Sequence, residues 1–155
     1  MADVRVHVQG LDKVLRDIDR TIEGMEDALD EGCQDAAEYL QECIEDKFGV
    51  YQPGWKPLQY VTRLKKVRKG NGANSNKPLV DFGDMMFSFY TETSNRSRKH
   101  TVTVKSDDRR LLYHMFGARS RKRGVPKRDP VRPTVKEERD NCVKMILDKV
   151  MEVLK

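Results

Sequence analysis

The stretch LDKVLRDIDRTIEGMEDALDEGCQDAAEYLQECIEDKF, residues 11–48, decides the fold of this chain. Its apolar residues recur at steps of three and four, the spacing that places side chains on one face of an α-helix. We call this face the apolar stripe, and its members are Leu11, Leu15, Ile18, Ile22, Met25, Leu29, Cys33, Ala36, Leu40, Ile44 and Phe48. The spacing predicts one helix of about 38 residues, roughly 57 Å long at 1.5 Å per residue.

The predicted helix is longer than a domain of this size can easily cover. Gly24 and Gly32 each weaken it by about 1 kcal/mol, so the helix can break or bend near them. Most of its acidic residues lie off the apolar stripe and form an anionic, solvated face. A self-contained coiled coil is one alternative, but the strand patterns described next favour a sheet that covers part of the stripe. The remainder is then available to a neighbouring subunit.

Shorter patterns flank this helix. Residues 4–8 alternate valine with polar side chains and predict a strand, and two alternating runs within 87–105 predict an antiparallel hairpin. Thr134-Val135-Lys136-Glu137 matches a capping box and predicts a C-terminal helix over about 134–155. With no internal repeat or linker, the sequence predicts a single α+β domain of residues 1–155. Its long N-terminal helix and its C-terminal helix pack on a small antiparallel sheet.

The middle of the chain is rich in turn-forming and basic residues. A basic run precedes residues 70–76, which contain no apolar side chain larger than alanine, so a mobile basic loop is predicted at about 63–78. A short helical turn is expected around Gly83, with Asp81 as its N-cap. Ser106-Asp107-Asp108 is expected to cap a second short helix.

The distribution of charge along the chain is uneven. Residues 1–50 carry 5 basic and 14 acidic side chains, a net of −9, whereas residues 51–133 carry 20 basic and 6 acidic, a net of +14. Residues 134–155 carry 5 of each. Three interpretations stay open: the segments neutralise each other inside one fold, they are merely solvated, or the acidic face of one subunit meets the basic face of the next. A head-to-tail contact of the third kind generates a ring when its rotation closes.

The sequence predicts no enzyme, no metal site and no cofactor. Cys33, Cys43 and Cys142 are odd in number and lack metal-ligand spacing, so free, buried structural thiols in a cytosolic protein are expected. The three histidines are scattered, and no nucleotide-binding, P-loop or hydrolase motif is present. A small nuclease that uses Asp81 and Asp84 is the alternative, although such acid pairs are more often cap and turn residues.

Membranes and nucleic acids are the two non-protein partners that the composition raises. No apolar run approaches the ~20 residues that span a bilayer, and the start of the chain lacks a signal-peptide core, so an unprocessed chain without a membrane partner is expected. Trp55 is expected to anchor the core or an interface, with base stacking as the alternative. Two interpretations of the basic segments stay open. They contact DNA phosphates without base-specific contacts, or they are solvated or paired with acidic protein surfaces. The candidates for these partner- or DNA-facing roles are Arg63, Lys65, Lys66, Arg68, Lys69, Arg121, Lys122 and Arg123.

Four short motifs follow one another from Trp55 onward. They are Trp55-Lys56-Pro57-Leu58 followed by Thr62 and lysines; Leu79, Gly83, Met85 and Ser88; Tyr113-His114-Met115-Phe116-Gly117; and Pro130-Val131-Arg132-Pro133. Their order resembles the virion morphogenesis family, the tail-completion or head–tail neck proteins of long-tailed bacteriophages. That family usually has an aromatic residue after the last motif, where this chain has Thr134, and Val125-Pro126-Lys127-Arg128 is a second match to the same motif.

The resemblance implies a structural virion protein that acts without catalysis or cofactor. Its location would be the head–tail interface of the virion, and the bacterial host cytoplasm during assembly. The implied assembly is a homo-oligomeric ring, usually a hexamer, that contacts head-connector, neck or tail-tube proteins. The alternative function is a sequence-independent DNA-binding protein of a phage or mobile element. The residues that the resemblance marks as motif or interface candidates are Trp55, Pro57, Thr62, Gly83, Ser88, Tyr113, Phe116, Gly117, Arg132 and Pro133.

Overall fold

A computed structural model of the chain describes residues 10–96, 99–118 and 124–154. Its elements, in chain order, are helix α1 (Leu11–Glu45), helix α2 (Tyr60–Arg68), 3-10 turns at Gly72–Asn74 and Met86–Ser88, strands β1 (Phe89–Arg96) and β2 (Lys99–Ser106), and helices α3 (Arg109–Phe116) and α4 (Val131–Val153). The predicted α+β arrangement of a long N-terminal helix, a C-terminal helix and an antiparallel sheet is confirmed. The strand predicted at 4–8 lies outside the described residues.

Helix α1 continues without a break through Gly24 and Gly32, where the sequence suggested a break or a bend. A Cβ atom added at Gly32 would lie 3.0 Å from Ile146 Cα, and one added at Gly24 would lie 3.1 Å from Val153 Cγ1. The alanines that alternate with these glycines at four-residue steps are buried. The small residues therefore allow α4 to approach α1 closely.

The two helices are antiparallel and differ in length. Lys47, just after α1, lies 3.0 Å from the carboxylate of Glu137 in the first part of α4. At the other end Gly24 lies beside Val153, the last residue of α4. Residues 11–23 of α1 therefore extend beyond α4.

The hairpin packs on α1 from another side. Strands β1 and β2 pair in antiparallel register, beginning with Phe89 opposite Ser106. Gln34 of α1 donates to Thr91 Oγ1 at 3.2 Å, and Gln41 donates to the Phe89 carbonyl at 3.3 Å. The sheet thus covers part of α1, as the strand patterns of the sequence predicted.

The core lies where the C-terminal part of α1 meets the hairpin and α3. The rings of Phe48 and Phe89 meet edge to face with their centroids 5.9 Å apart. The apolar stripe is buried at this end, where Ile44 is 2% exposed, but Leu11 and Ile18 at its start are 54% and 49% exposed. The remaining buried core residues are Leu79, Val80, Met85 and Leu111.

Helix α4 begins at Val131, three residues before the predicted start at Thr134. Asp129 Oδ1 accepts a hydrogen bond from the Val131 backbone N–H at 3.0 Å and so supplies the cap. Thr134 is fully buried and donates from Oγ1 to the Pro130 carbonyl at 2.7 Å, so the predicted capping box does not form. Pro133 is tolerated in the first turn because its missing N–H has no intrahelical acceptor there.

The predicted mobile loop at 63–78 is wrong in its first part, because Tyr60–Arg68 forms α2. The helical turn expected around Gly83 lies slightly later, at Met86–Ser88. The predicted cap of α3 is confirmed, because Asp108 Oδ1 accepts a hydrogen bond from the second backbone N–H of that helix at 2.8 Å.

Candidate partner-binding groove

A groove with a volume of about 1230 Å³ lies between α2 and the chain that follows α3. Of its described lining residues, six are basic and one, Asp81, is acidic. The basic residues are Lys56, Lys65, Lys66, Lys69, Lys127 and Arg128. Apolar side chains alternate with them, among them Leu58, Val61, Phe116 and Val125. We call this feature the basic groove; its walls contain both basic and apolar side chains.

Lys66 is a buried residue that bonds α2 to the chain that follows it. The prediction that Lys66 faces a partner or DNA is therefore wrong. Its side chain is 8% exposed. The ammonium group donates to the carbonyls of Asn74 at 3.2 Å and Lys77 at 2.7 Å, and also to that of Val80. Burial lowers the pKa of Lys66 below its usual value. The segment predicted to be a mobile loop is thus bonded to α2 through a buried charge.

The other basic residues of α2 divide between the groove and the outer surface. Lys65 and Lys69 line the groove, whereas the exposed Arg63 and Arg68 do not. Lys69 Nζ lies 2.8 Å from Asp81 Oδ2, and this hydrogen bond holds the pKa of Asp81 below its usual value. Asp81 therefore anchors the groove wall and does not serve as the predicted N-cap.

Arg128 forms the floor of the groove, a role that the sequence did not suggest. It is 4% exposed, and its guanidinium donates to the Lys56 carbonyl at 2.7 Å. Its backbone N–H donates to the carbonyl of His114 at 2.7 Å, which joins α3 to the same floor. Burial, followed by the positive charge of Arg128, lowers the pKa of His114, so this imidazole is neutral near pH 7. The one available signal was Asp129-Pro130, a turn and helix-start pair that directly follows Arg128.

Several family-motif candidates meet at the groove. Pro57 and Thr62 of the first motif and Phe116 and Gly117 of the third motif all line it. The guanidinium of Arg132 lies 4.6 Å from the centroid of the exposed Phe116 ring, in cation–π geometry. Residues of the first and third motifs therefore meet at this site, and Arg132 of the fourth motif contacts it through Phe116.

Gly117 is required by the geometry at the end of α3. Its φ of 74° is in the left-handed region, and an added Cβ would lie 3.3 Å from the Val125 carbonyl. Ala118 and Val125 then exchange backbone hydrogen bonds of 3.1 and 2.7 Å. The basic candidates Arg121, Lys122 and Arg123 lie between these positions but outside the described residues.

The remaining motif candidates do not line the groove. Trp55 is half-buried against the core, in agreement with the anchor interpretation. Gly83 has a φ of 99°, and an added Cβ would lie 2.8 Å from the Phe87 ring. Ser88 donates to the Met85 carbonyl at 2.8 Å. The other three candidates that do not line the groove are the exposed Tyr113, Arg132 and Pro133.

The acidic residues of α1 do not neutralise the groove. Within the described residues, ion pairs join α1 to α4 through Lys149 with Glu31 and Asp35, and a hydrogen bond of 2.5 Å between His100 and Asp30 joins it to the hairpin. None of them joins α1 to a lysine of the groove. Further exposed carboxylates on α1 are Glu23, Glu26, Asp27, Glu38 and Glu42. Among the described residues, the acidic face of α1 and the basic groove are therefore separate surfaces.

The cysteines and the suggested nuclease carboxylates are placed as follows among the described residues. The predicted free state of Cys33, Cys43 and Cys142 is confirmed, but the thiols are half-buried, not fully buried. Asp81 pairs with Lys69, and Asp84 lies 3.8 Å from Arg110, so each carboxylate of the suggested nuclease pair faces its own cation. The described residues contain no cluster of three potential metal ligands. Nor do they contain a helix long and apolar enough to cross a membrane.

Comparison of the chain with protein-family models, with curated proteins and with solved structures found no match. The features of this chain that bear on its function are the chemistry of the groove, the acidic surface of α1 and the order of the four motifs.

Proposed function

We propose that this chain is a non-enzymatic structural subunit of a phage neck or tail end, which completes the tail or joins it to the head. The order of the four motifs supports the phage context. Assembly into a ring is supported by the charges on the surface, and the resemblance implies six copies. Other copies of the chain and head-connector, neck or tail-tube proteins are its proposed partners.

The observation that carries this proposal is the separation of the basic groove from the acidic face of α1. A contact between these two unlike surfaces in neighbouring copies is heterologous, and repeated heterologous contacts close into a ring when the rotation permits. Opposite charges on the two surfaces favour this encounter and fix its register.

The composition of the groove favours a protein partner. Two of its six cations, Lys66 and Arg128, already donate to backbone carbonyls and are buried, so they are not available to phosphates. The apolar walls add nothing to contact with a sugar–phosphate backbone, but they suit a protein surface that combines apolar and acidic side chains. An amphipathic, acidic helix such as α1 has both properties.

A charge-reversal experiment with a matched control tests the proposal. Lys65→Glu with Lys127→Glu reverses two exposed charges that line the groove, whereas Arg63→Glu with Arg68→Glu reverses two exposed charges outside it. We expect the first double variant to lose ring assembly, measured by light scattering and electron microscopy, and the second to keep it. Equal assembly by the two variants would contradict a role for the groove.

Sequence-independent DNA binding is the second candidate function, and the net charge of +14 over residues 51–133 favours it. This function requires that the chain bind duplex DNA and that the binding weaken as salt is added. A plot of the logarithm of the binding constant against the logarithm of salt concentration should have a slope of about −0.9 per phosphate contacted. Both charge-reversal variants would weaken such binding similarly, because backbone contacts depend on total charge. Failure to bind near physiological ionic strength would eliminate this candidate.

A further inference from the structure

Among the described residues, none covers the apolar surface of the first three turns of α1. We call residues 11–22 the α1 tip; its stripe members are about half exposed, and Val14 is exposed beside them. A shallow depression of about 340 Å³ lies on the tip, lined by Val14, Asp17, Ile18, Thr21 and Ile22. An apolar surface of this kind on a folded chain marks a contact site.

The spacing of the stripe indicates that the missing partner is a helix. From Leu11 through Leu15, Ile18, Ile22 and Met25 the steps alternate strictly between four and three. This repeat of 3.5 residues is the seam of helices that pack side by side in a coiled coil. A sheet or a DNA duplex does not require such a repeat.

The dimensions of the fold indicate which helix is missing. Helix α1 has 35 residues and α4 has 23, so α1 exceeds α4 by 12 residues, or about 18 Å at 1.5 Å per residue. A second copy of the tip has the length and the apolar pattern needed to fill the gap that lies beyond the end of α4.

We propose that two copies of this chain pair through their α1 tips, in antiparallel orientation about a two-fold axis. Leu15 then packs against Ile18 of the second copy, and Leu11 against Ile22 of the second copy. A parallel pairing is disfavoured because α4 and the hairpin flank the stripe from Gly24 onward. In a parallel pair, the α4 helices and hairpins of the two copies would occupy the same space. The antiparallel pairing places the two bodies at opposite ends.

This contact goes beyond the proposed ring and does not depend on it. The ring contact joins unlike charged surfaces, whereas the tip contact buries like apolar surfaces. In 1 M salt the Debye length is about 3 Å, so the charged contact weakens while the apolar contact persists. Measurement of the oligomeric state in high salt therefore tests the tip contact separately from the ring contact.

Disulfide cross-linking tests the predicted register. The single variants Leu15→Cys and Ile18→Cys, the second with a mass tag, are oxidised separately and as an equal mixture in 1 M salt, with the wild type as the control for the native cysteines. We expect the mixture to give several times more linked dimer than either variant alone, with one copy of each in the product. More linked dimer from Leu15→Cys alone would indicate a parallel pair and overturn the proposal.

The mass in solution provides the second readout. In 1 M salt we expect the wild type to have twice the 18.0 kDa chain mass, Ile18→Lys to be a monomer, and Asp27→Lys, on the exposed opposite face of α1, to remain a dimer. A wild type that stays monomeric in 1 M salt and does not cross-link would overturn the proposal. That result is also the one expected if residues 4–8 of the same chain cover the tip.

Discussion

At the scale of single residues, the buried ammonium group of Lys66 joins α2 to three carbonyl groups of the chain that follows it. Lys65, its neighbour, has the same charge but is exposed. We expect Lys66→Met to lower the free energy of unfolding by roughly 1–3 kcal/mol, because buried carbonyl oxygens lose their donor. Lys65→Met should change it by less than about 0.5 kcal/mol. Urea unfolding measures both values, and equal stability of the two variants would contradict the structural role of Lys66.

His114 gives the fold a dependence on pH. Because its pKa is lowered from 6.5 in the folded chain, the unfolded chain binds a proton at a pH where the folded chain does not. The contribution of His114 to stability is therefore complete above about pH 6.5 and is lost as the pH falls from there towards the folded pKa. We expect His114→Leu to lose less stability than the wild type between pH 7 and pH 5, measured by urea unfolding. Identical losses would exclude this contribution.

At this scale the sequence alone does not distinguish the roles of Lys65 and Lys66. The two side chains are chemically alike and differ only in the direction in which α2 orients them. Thr62, Lys66 and Lys69 do share one helical face at steps of four and three, and all three line the groove. Recognition of α2 as a helix would have grouped them. The buried state of Arg128 depends on the positions of α3 and of the turn at Lys56, which no local pattern specifies.

At the scale of elements, the packing of α4 on α1 predicts opposite outcomes for two similar substitutions. Gly32→Ala gains about 1 kcal/mol of helix propensity but places a Cβ 3.0 Å from the backbone of Ile146, so we expect a net loss of stability of roughly 1–2 kcal/mol. At Gly24 the Cβ meets only the side chain of Val153 at the end of α4, which can move. We expect Gly24→Ala to be neutral or stabilising. Thermal unfolding compares them, and a more stable Gly32→Ala would contradict the close approach of the helices.

The elements that were predicted well have strong local signals. The stripe of α1, the alternation of the hairpin and the Asp108 cap of α3 depend on neighbouring residues alone. The start of α4 was missed because Thr134 resembles a cap in sequence but is buried by tertiary contacts, so Asp129 supplies the cap instead. Helix α2 was missed because its basic composition resembles that of a solvated loop.

At the scale of the whole molecule, two surfaces lack a covering partner within the described residues: the α1 tip and the basic groove. The sequence predicted an uncovered part of the stripe, since the helix is longer than a domain of this size can cover. Of its ten motif candidates, the fold brings four to the groove, namely Pro57, Thr62, Phe116 and Gly117. The sequence could not predict the shape of the groove, which depends on the distance between α2 and the chain after Gly117.

The central claim, that this chain is a subunit completed by further copies of itself, is tested most directly by its molar mass in solution. Sedimentation or light scattering over a wide range of concentration, at low and at high salt, gives that mass. We predict a multiple of 18.0 kDa that is larger at low salt and falls to a dimer at high salt. A mass of 18.0 kDa at every concentration and at both salt levels would contradict the claim.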